Sequence, residues 1–162
     1  MSRRLQTIRG QAAFLITVWG ILVGVASAAE VGVGDPMPEL SLPDQHAKLT
    51  EVDARVVIMA FEMDVAKSFN KWLDARGKDW LPKRNAVYVA DISAMPKTIS
   101  KMFAVPKMRK YSHQILLNRD DDFAEAYPRK KDMATILRVN RMGKITSVSY
   151  VASPAALEDT LK

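Results

Sequence analysis

The hydrophobic pattern after residue 54 predicts three buried strands. Two nearly continuous apolar runs, at 55–61 and 86–92, are rich in β-branched residues, as strands covered on both faces tend to be. A third strand at 113–117 contains the apolar run Ile115-Leu116-Leu117 and ends in the turn-prone segment 118–120. Short runs bounded by turn signals favour strands over helices.

Apolar residues at helical spacing separate these strands. Asp64 stands at a suitable N-cap position, and apolar residues then recur between 65 and 73 until Gly77 offers a stop. Pro96 opens a second helix, since proline is favoured at the first helical position. One face of that helix carries Ile99, Met102 and Phe103. We expect Met102 to belong to the core.

A hairpin and a last helix complete the pattern. The segments 135–140 and 144–150 read as strands, and the tight turn between them makes them an antiparallel pair. Ser153 then caps a helix that turns Leu157 and Leu161 inward.

The order of these elements predicts an α/β fold. A short strand at 39–42 comes first, followed by strand, helix, strand, helix, strand, hairpin and helix. Right-handed crossovers make the three buried strands parallel, and the hairpin adds antiparallel strands. We therefore predict a three-layer sandwich in which helices cover both faces of a central mixed sheet.

The first 28 residues predict a signal peptide. An arginine-rich start precedes an apolar stretch at 12–26 and the small-x-small motif Ala26-Ser27-Ala28. The stretch is shorter than the roughly 20 residues that a membrane-spanning helix needs. We expect export to the periplasm, a single domain at 29–162, and membrane contact through the signal peptide alone. An uncleaved anchor is the alternative.

The composition narrows the possible functions. The net charge of +6 falls to +3 once the three arginines of the predicted signal peptide are removed. Aromatic residues make up only 7% of the chain, and the longest basic run is Arg129-Lys130-Lys131, so we predict no nucleic-acid binding. The chain contains no cysteine, which leaves it without disulfides and without thiol chemistry.

Three segments resemble exported thioredoxin-like proteins related to cytochrome-maturation thiol–disulfide oxidoreductases and to peroxiredoxins. Residues 34–44 resemble their N-terminal motif Gly-Asp-x-x-Pro and the short strand after it. Residues 115–120, followed by Ala126-Tyr127, are similar to their third parallel strand and its turn. Residues 134–145 are similar to their hairpin. The resemblance implies a thioredoxin-like fold.

Two departures from that family argue against its chemistry. The family carries Cys-x-x-Cys at the start of the helix after the first buried strand, whereas residues 61–67 hold no thiol. The family's cis-proline falls on Ala134, for which we expect a trans peptide because a non-proline cis bond costs about 3 kcal/mol. We therefore expect a chain without thiol redox function.

Cysteine-less proteins of this kind also resemble the YtfJ-like group and sequences described as FAD/FMN-containing dehydrogenases. A Rossmann flavin site would place Gly-x-Gly-x-x-Gly between a strand and a helix. Gly32-Val33-Gly34 precedes every strong strand and lacks the third glycine. We predict no cofactor, and a flavin that replaces the thiols is kept as an alternative.

The former active-site end supplies a candidate binding face. Its members are Glu62, Met63, Asp64, Lys67, Met133 and Ala134. Glu62 and Asp64 would accept hydrogen bonds there and Lys67 would donate them. The simpler interpretation is that Asp64 caps the helix and that Lys67 is solvated.

Two loops before the hairpin supply a second candidate surface. Their basic side chains are Lys107, Arg109, Lys110, Arg129, Lys130 and Lys131. If the loops are neighbours, these cations could attract an acidic partner, an anionic lipid headgroup or a flavin phosphate. A solvated, solubilising surface is the simpler interpretation.

A copper site is a further chemical possibility. Eight of the nine methionines lie outside the predicted signal peptide, together with His46 and His113, and thioether and imidazole groups bind copper. The two histidines are distant in sequence, and methionine is a common core filler. We predict no metal.

These observations favour a non-catalytic binding or accessory module of the bacterial envelope, with an envelope protein as its partner. The alternatives are an oxidoreductase with a bound flavin and a copper-handling periplasmic protein. If the chain is an enzyme, we expect an oxidoreductase.

Overall fold

The computed structural model describes residues 30–161, so the predicted signal peptide lies outside the described residues. The strands and helices are β1 (Ser41–Pro43), β2 (Leu49–Glu51), β3 (Val56–Ala60), α1 (Met63–Arg76), β4 (Ala86–Asp91), α2 (Lys97–Ile99), α3 (Val105–Met108), β5 (Leu116–Asn118), β6 (Ala134–Val139), β7 (Ile145–Val151) and α4 (Ala156–Thr160). A π-helical turn (Ser100–Ala104) and two 3-10 turns (Pro82–Arg84 and Asp121–Ala126) complete them. Within residues 30–161, every helix is too short or too polar to cross a bilayer.

Five strands form one mixed sheet in the order β5-β4-β3-β6-β7. The three buried strands β3, β4 and β5 run parallel, and β6 and β7 form an antiparallel hairpin beside β3. This arrangement confirms the predicted parallel strands and the predicted hairpin. Strands β1 and β2 form a separate antiparallel pair, of which the sequence pattern predicted only the first member.

The alternation of side chains along β3 creates a core on each face of the sheet. Val56, Ile58 and Ala60 pack on one face with apolar side chains of α1, α3 and α4. Val57 and Met59 pack on the other face, beneath the β1–β2 pair and the 3-10 turn at Asp121–Ala126. The predicted mixed sheet with a packed layer on each face is therefore confirmed, but the layer over Val57 and Met59 consists of the β1–β2 pair and a 3-10 turn instead of an α-helix.

The second predicted helix differs in which side faces the core. Met102 was expected in the core, but 62% of its side chain is exposed, and Ile99 and Phe103 are exposed too. The cause is the π-helical turn, in which the backbone N–H of Val105 bonds to the carbonyl of Ser100, five residues earlier. That wider turn places Ser100 and Val105 inside and rotates the apolar stripe to the surface.

Both predicted N-caps are also displaced. Asp64 is not the N-cap of α1, because Glu62 occupies that position with an extended backbone and makes no side-chain cap bond. The last helix begins at Ala156 rather than directly after Ser153. Ser153 lies in the preceding turn, in which its side-chain oxygen accepts a hydrogen bond from the Ala155 N–H and its carbonyl accepts one from the Ala156 N–H.

Candidate functional site

The turn between β3 and α1 lies at the predicted active-site end, and Glu62 ties it to the loop before β6. A carboxylate oxygen of Glu62 accepts a hydrogen bond from the backbone N–H of Asp132 at 2.8 Å. Asp132 has a left-handed backbone with a φ of 60°, which places its N–H in this turn. Glu62, proposed from the sequence as an acceptor for a partner, thus already has an internal donor.

Replacing Glu62 should cost a modest amount of stability. Glu62→Ala removes the acceptor of one partly exposed hydrogen bond, and we expect the free energy of unfolding to fall by about 1 kcal/mol. Urea denaturation measures the change. Glu62→Gln keeps an acceptor and should lose less than Glu62→Ala. An Asp64→Ala variant that lost as much as Glu62→Ala would contradict this role, since Asp64 is 95% exposed.

The other members of the candidate face are only partly brought together. The Met133–Ala134 peptide bond is trans, as expected. Ala134 is fully buried at the start of β6, and Met133 is half-buried. Asp64 contacts Lys67 at 3.7 Å in an exposed i,i+3 pair, which contributes little to stability. Met63 and Lys67 both face a groove.

This groove has a volume of about 330 Å³ and lies between α1 and the helical stretch from α2 to α3. Its α1 wall includes Met63 and Lys67, and the opposite wall includes Ile99 and Lys107. Met95, in the segment after β4, lines it as well. The same rotation that exposes Ile99 gives the groove its apolar rim.

Behind the groove, Asn70 forms a hydrogen bond with the buried His113. Asn70 lines the groove, and its side-chain oxygen lies 3.0 Å from Nε2 of His113. Because an amide oxygen only accepts, His113 carries its proton on Nε2. Nδ1 of His113 is buried and has no hydrogen-bond partner in the described part of the chain. Burial lowers the pKa of His113 to about 4, against a smaller raising effect of the Asp74 carboxylate.

Aromatic rings enclose the same histidine. The rings of Tyr88 and Tyr111 lie 6.1 and 5.6 Å from the His113 ring, centre to centre. Tyr88 donates a hydrogen bond to the Ala66 carbonyl, and burial raises the pKa of Tyr88. The side chains behind the groove are therefore neutral and tightly packed.

Sequence reasoning missed Asn70, Tyr111 and His113 as parts of this region. Asn70 offered one signal, since it is a polar residue next to Phe69 within the inward-facing stripe of α1. The pairing of Asn70 with His113 joins residues 43 positions apart, which no local pattern contains.

The first predicted basic loop is helical in part, since Lys107 lies in α3 and Arg109 directly follows it. The two basic segments lie near opposite edges of the sheet. Nε of Arg109 donates to the Gln45 carbonyl beside the edge strand β5. Lys130 lies over the Tyr150 ring on the other edge strand, β7, at 4.6 Å from its centre. Lys107 lines the groove, whereas Lys110, Arg129 and Lys131 are exposed.

The two histidines of the copper hypothesis lie in different environments. His46 is exposed in the turn after β1, and His113 is buried behind the groove. Within residues 30–161, no three His, Asp or Glu side chains cluster as a metal-binding group.

Solved structures with similar folds include peroxiredoxin-like proteins and a thio-disulfide isomerase. The chain is similar to a peroxiredoxin-like protein from Aquifex aeolicus, with 13% identity, a TM-score of 0.54, and coverage of 82% of this chain and 86% of that one. It is similar to a peroxidoxin from Mycobacterium tuberculosis, with 16% identity, a TM-score of 0.52, and coverage of 80% and 92%. It is also similar to a thio-disulfide isomerase from Thermus thermophilus, with 20% identity, a TM-score of 0.50, and coverage of 81% and 95%.

No family model and no curated protein matches the chain. The narrower resemblances to the YtfJ-like group and to FAD/FMN-containing dehydrogenases therefore gain no support. Similarity at these identities establishes the fold alone. The chain has the thioredoxin-like fold found in thiol–disulfide oxidoreductases and peroxiredoxins, and its sequence contains no cysteine.

Proposed function

We propose that this protein is a non-catalytic binding module of the bacterial envelope, exported to the periplasm, whose binding surface is the groove between α1 and α3. The observation that carries the proposal is the groove itself, which opens where the fold's relatives are expected to hold their thiols. Its volume of about 330 Å³ lies at the lower end of the range of ligand pockets, roughly 300–1,000 Å³.

The lining of the groove supports an apolar ligand. Met63, Met95 and Met108 line it, and flexible, polarisable methionine side chains adapt to ligands of varied shape. Exposed Met102 and Phe103 extend the apolar surface along the helical stretch beyond Ile99. Large apolar side chains grouped on a surface in this way are typical of interaction sites.

The charges at the groove favour a ligand that carries acidic residues beside its apolar anchors. Lys67 and Lys107 line the groove, and Lys67 forms an exposed pair with Asp64. Asp91 also lines it, but its carboxylate accepts hydrogen bonds from Asn118 and from the Ser93 N–H. We infer that the partner is an envelope protein that presents a segment with apolar anchors flanked by Asp or Glu.

A labelled synthetic peptide with Leu and Phe anchors and Glu flanks tests this proposal. Fluorescence anisotropy should show saturable binding to the wild-type protein. Met63→Ser combined with Ile99→Ser should weaken it more than about tenfold, because each buried apolar side chain contributes roughly 1.5–3 kcal/mol. Both side chains are exposed, so the variant should fold normally.

Met142→Ser is the matched control, since Met142 is 80% exposed in the hairpin turn away from the groove. The control should bind like the wild type, and a peptide with Lys flanks should bind more weakly than the Glu-flanked one. Equal binding by the wild type and the groove variant would overturn the proposal.

A further inference from the structure

A second cavity, which shares Ile92 and Met95 with the lining of the groove, lies at the carboxyl ends of the parallel strands β4 and β5. It has a volume of about 590 Å³ and is lined by Ser93, which follows β4, and by Arg119, which follows β5. In α/β sheets, crevices outside the carboxyl ends of the strands are the usual ligand sites. We call this cavity the basic cleft.

Four cationic side chains converge on the basic cleft, namely Lys97, Lys101, Arg109 and Arg119. Within residues 30–161, none of the four is paired with a carboxylate. Lys97, Lys101 and Arg109 belong to the helical stretch from α2 to the end of α3, and the fold brings Arg119, which follows β5, to the same cleft. All four side chains are exposed, and charges of one sign around a cleft create a positive potential that attracts anions.

The two arginines are held in place by neutral groups. Nη1 of Arg119 donates to the side-chain oxygen of Ser100 at 2.8 Å, and Ser100 is fully buried in the π-helical turn. Nε of Arg109 donates to the Gln45 carbonyl at 2.9 Å. Each guanidinium thus uses one N–H donor within the protein, and its other N–H donors are available to a ligand.

The two acids at the cleft do not cancel this charge. Asp44 is buried and accepts hydrogen bonds from the backbone of His46 and Lys48 and from the Gln114 side chain. Burial raises the pKa of Asp44, but these hydrogen bonds outweigh it and hold the pKa below its usual value. Asp121 is exposed. Four cations against two carboxylates leave an excess of two positive charges, which suits a doubly charged anion.

We propose that the basic cleft binds a phosphoryl group. Arginine presents planar donors that match phosphate oxygens in pairs, and lysine adds point charges beside them. A phosphate ester or a diphosphate carries the two or more negative charges that the cleft balances, whereas one carboxylate carries a single charge. The phosphoryl group comes either from a soluble compound or from a phospholipid headgroup.

Calorimetric titration of the full-length protein with sodium pyrophosphate tests the site, and flotation with vesicles tests the headgroup source. Lys101→Gln combined with Arg119→Gln should weaken pyrophosphate binding by about tenfold or more, since hydrogen bonds between charged groups are the strong ones. Arg129→Gln combined with Lys131→Gln removes the same charge from an exposed loop and should leave binding unchanged. Lys97→Gln alone is a second cleft variant that should fold normally, because the Lys97 side chain is exposed.

The two sources are distinguished by comparing vesicles of phosphatidylglycerol with vesicles of phosphatidylcholine. Variant-sensitive binding of pyrophosphate alone supports the cleft as a site for a soluble phosphate compound. Variant-sensitive binding to phosphatidylglycerol vesicles supports it as a headgroup site. Absence of both, or an equal loss in the Arg129 and Lys131 control, would overturn the proposal. The groove variant should bind pyrophosphate normally, so this outcome is independent of the proposed peptide binding.

Discussion

The free energy of unfolding should fall by about 3 kcal/mol between pH 6.5 and pH 4, because His113 is buried in its neutral form. Only 1% of His113 is exposed, and burial lowers its pKa from 6.5 to about 4. Protonation would place a second N–H on Nδ1, which has no hydrogen-bond partner among residues 30–161.

The sign follows from which state binds the proton first. As the pH falls below 6.5, the unfolded chain takes up a proton at His113, whereas the folded chain does not do so until about pH 4. Unfolding is therefore favoured throughout this interval, and stability falls with pH. The pKa values of Asp44 and Asp74 lie below 3.8, so their contributions are lost at lower pH.

Urea denaturation at half-unit steps from pH 7 to pH 4 measures the slope. His113→Gln keeps a donor for Asn70 but does not titrate, so its stability should be lower at pH 7 and nearly constant across the interval. His46→Gln alters the exposed histidine and should retain the wild-type slope. A wild-type curve that is flat between pH 6.5 and pH 4, or a His113→Gln curve that still falls, would show that His113 is not the titrating group.

The sheet could be predicted from the sequence because its strands are buried on both faces. A strand such as β3, covered above and below, must be apolar at every position, and the run 55–61 carries that signature. The β6–β7 hairpin could also be predicted, because the turn residues between its two strands are a local sequence signal. Strand β2 has neither signal, since its first residue, Leu49, is exposed and its partner β1 is equally short.

The candidate site could be predicted only in part. Met63 and Lys67 lie at a helix start that the resemblance identified, and Lys107 was proposed within a basic loop. The opposite wall of the groove depends on the π-helical turn, which rotates Ile99 outward, and an apolar stripe at helical spacing does not reveal that turn. The basic cleft depends on side chains from residue 97 to residue 119, which no sequence window shows as a cluster.

Replacing Gln45 should cost about 3 kcal/mol of stability, because its buried side chain completes the hydrogen bonding of the segment that leads into β5. Only 2% of Gln45 is exposed. Its Nε2 donates to the His113 carbonyl at 2.8 Å, and its Oε1 accepts from the Ile115 N–H at 2.9 Å. Gln45→Ala leaves both backbone groups without a hydrogen-bond partner, and each unsatisfied buried group costs about 1–3 kcal/mol.

A second variant separates the stability lost with these hydrogen bonds from the stability lost through the cavity that alanine leaves. Gln45→Met keeps a side chain of similar length without the amide, so it should lose nearly as much stability in urea denaturation as Gln45→Ala. Gln114→Ala, which removes an exposed amide that bonds to Asp44 and Thr50, should lose about 0.5 kcal/mol or less. Hydrogen exchange should also show the Ile115 amide exchanging faster in both Gln45 variants. A Gln45→Met protein as stable as the wild type would mean that water or a rearranged backbone satisfies both groups, and that Gln45 does not fix the start of β5.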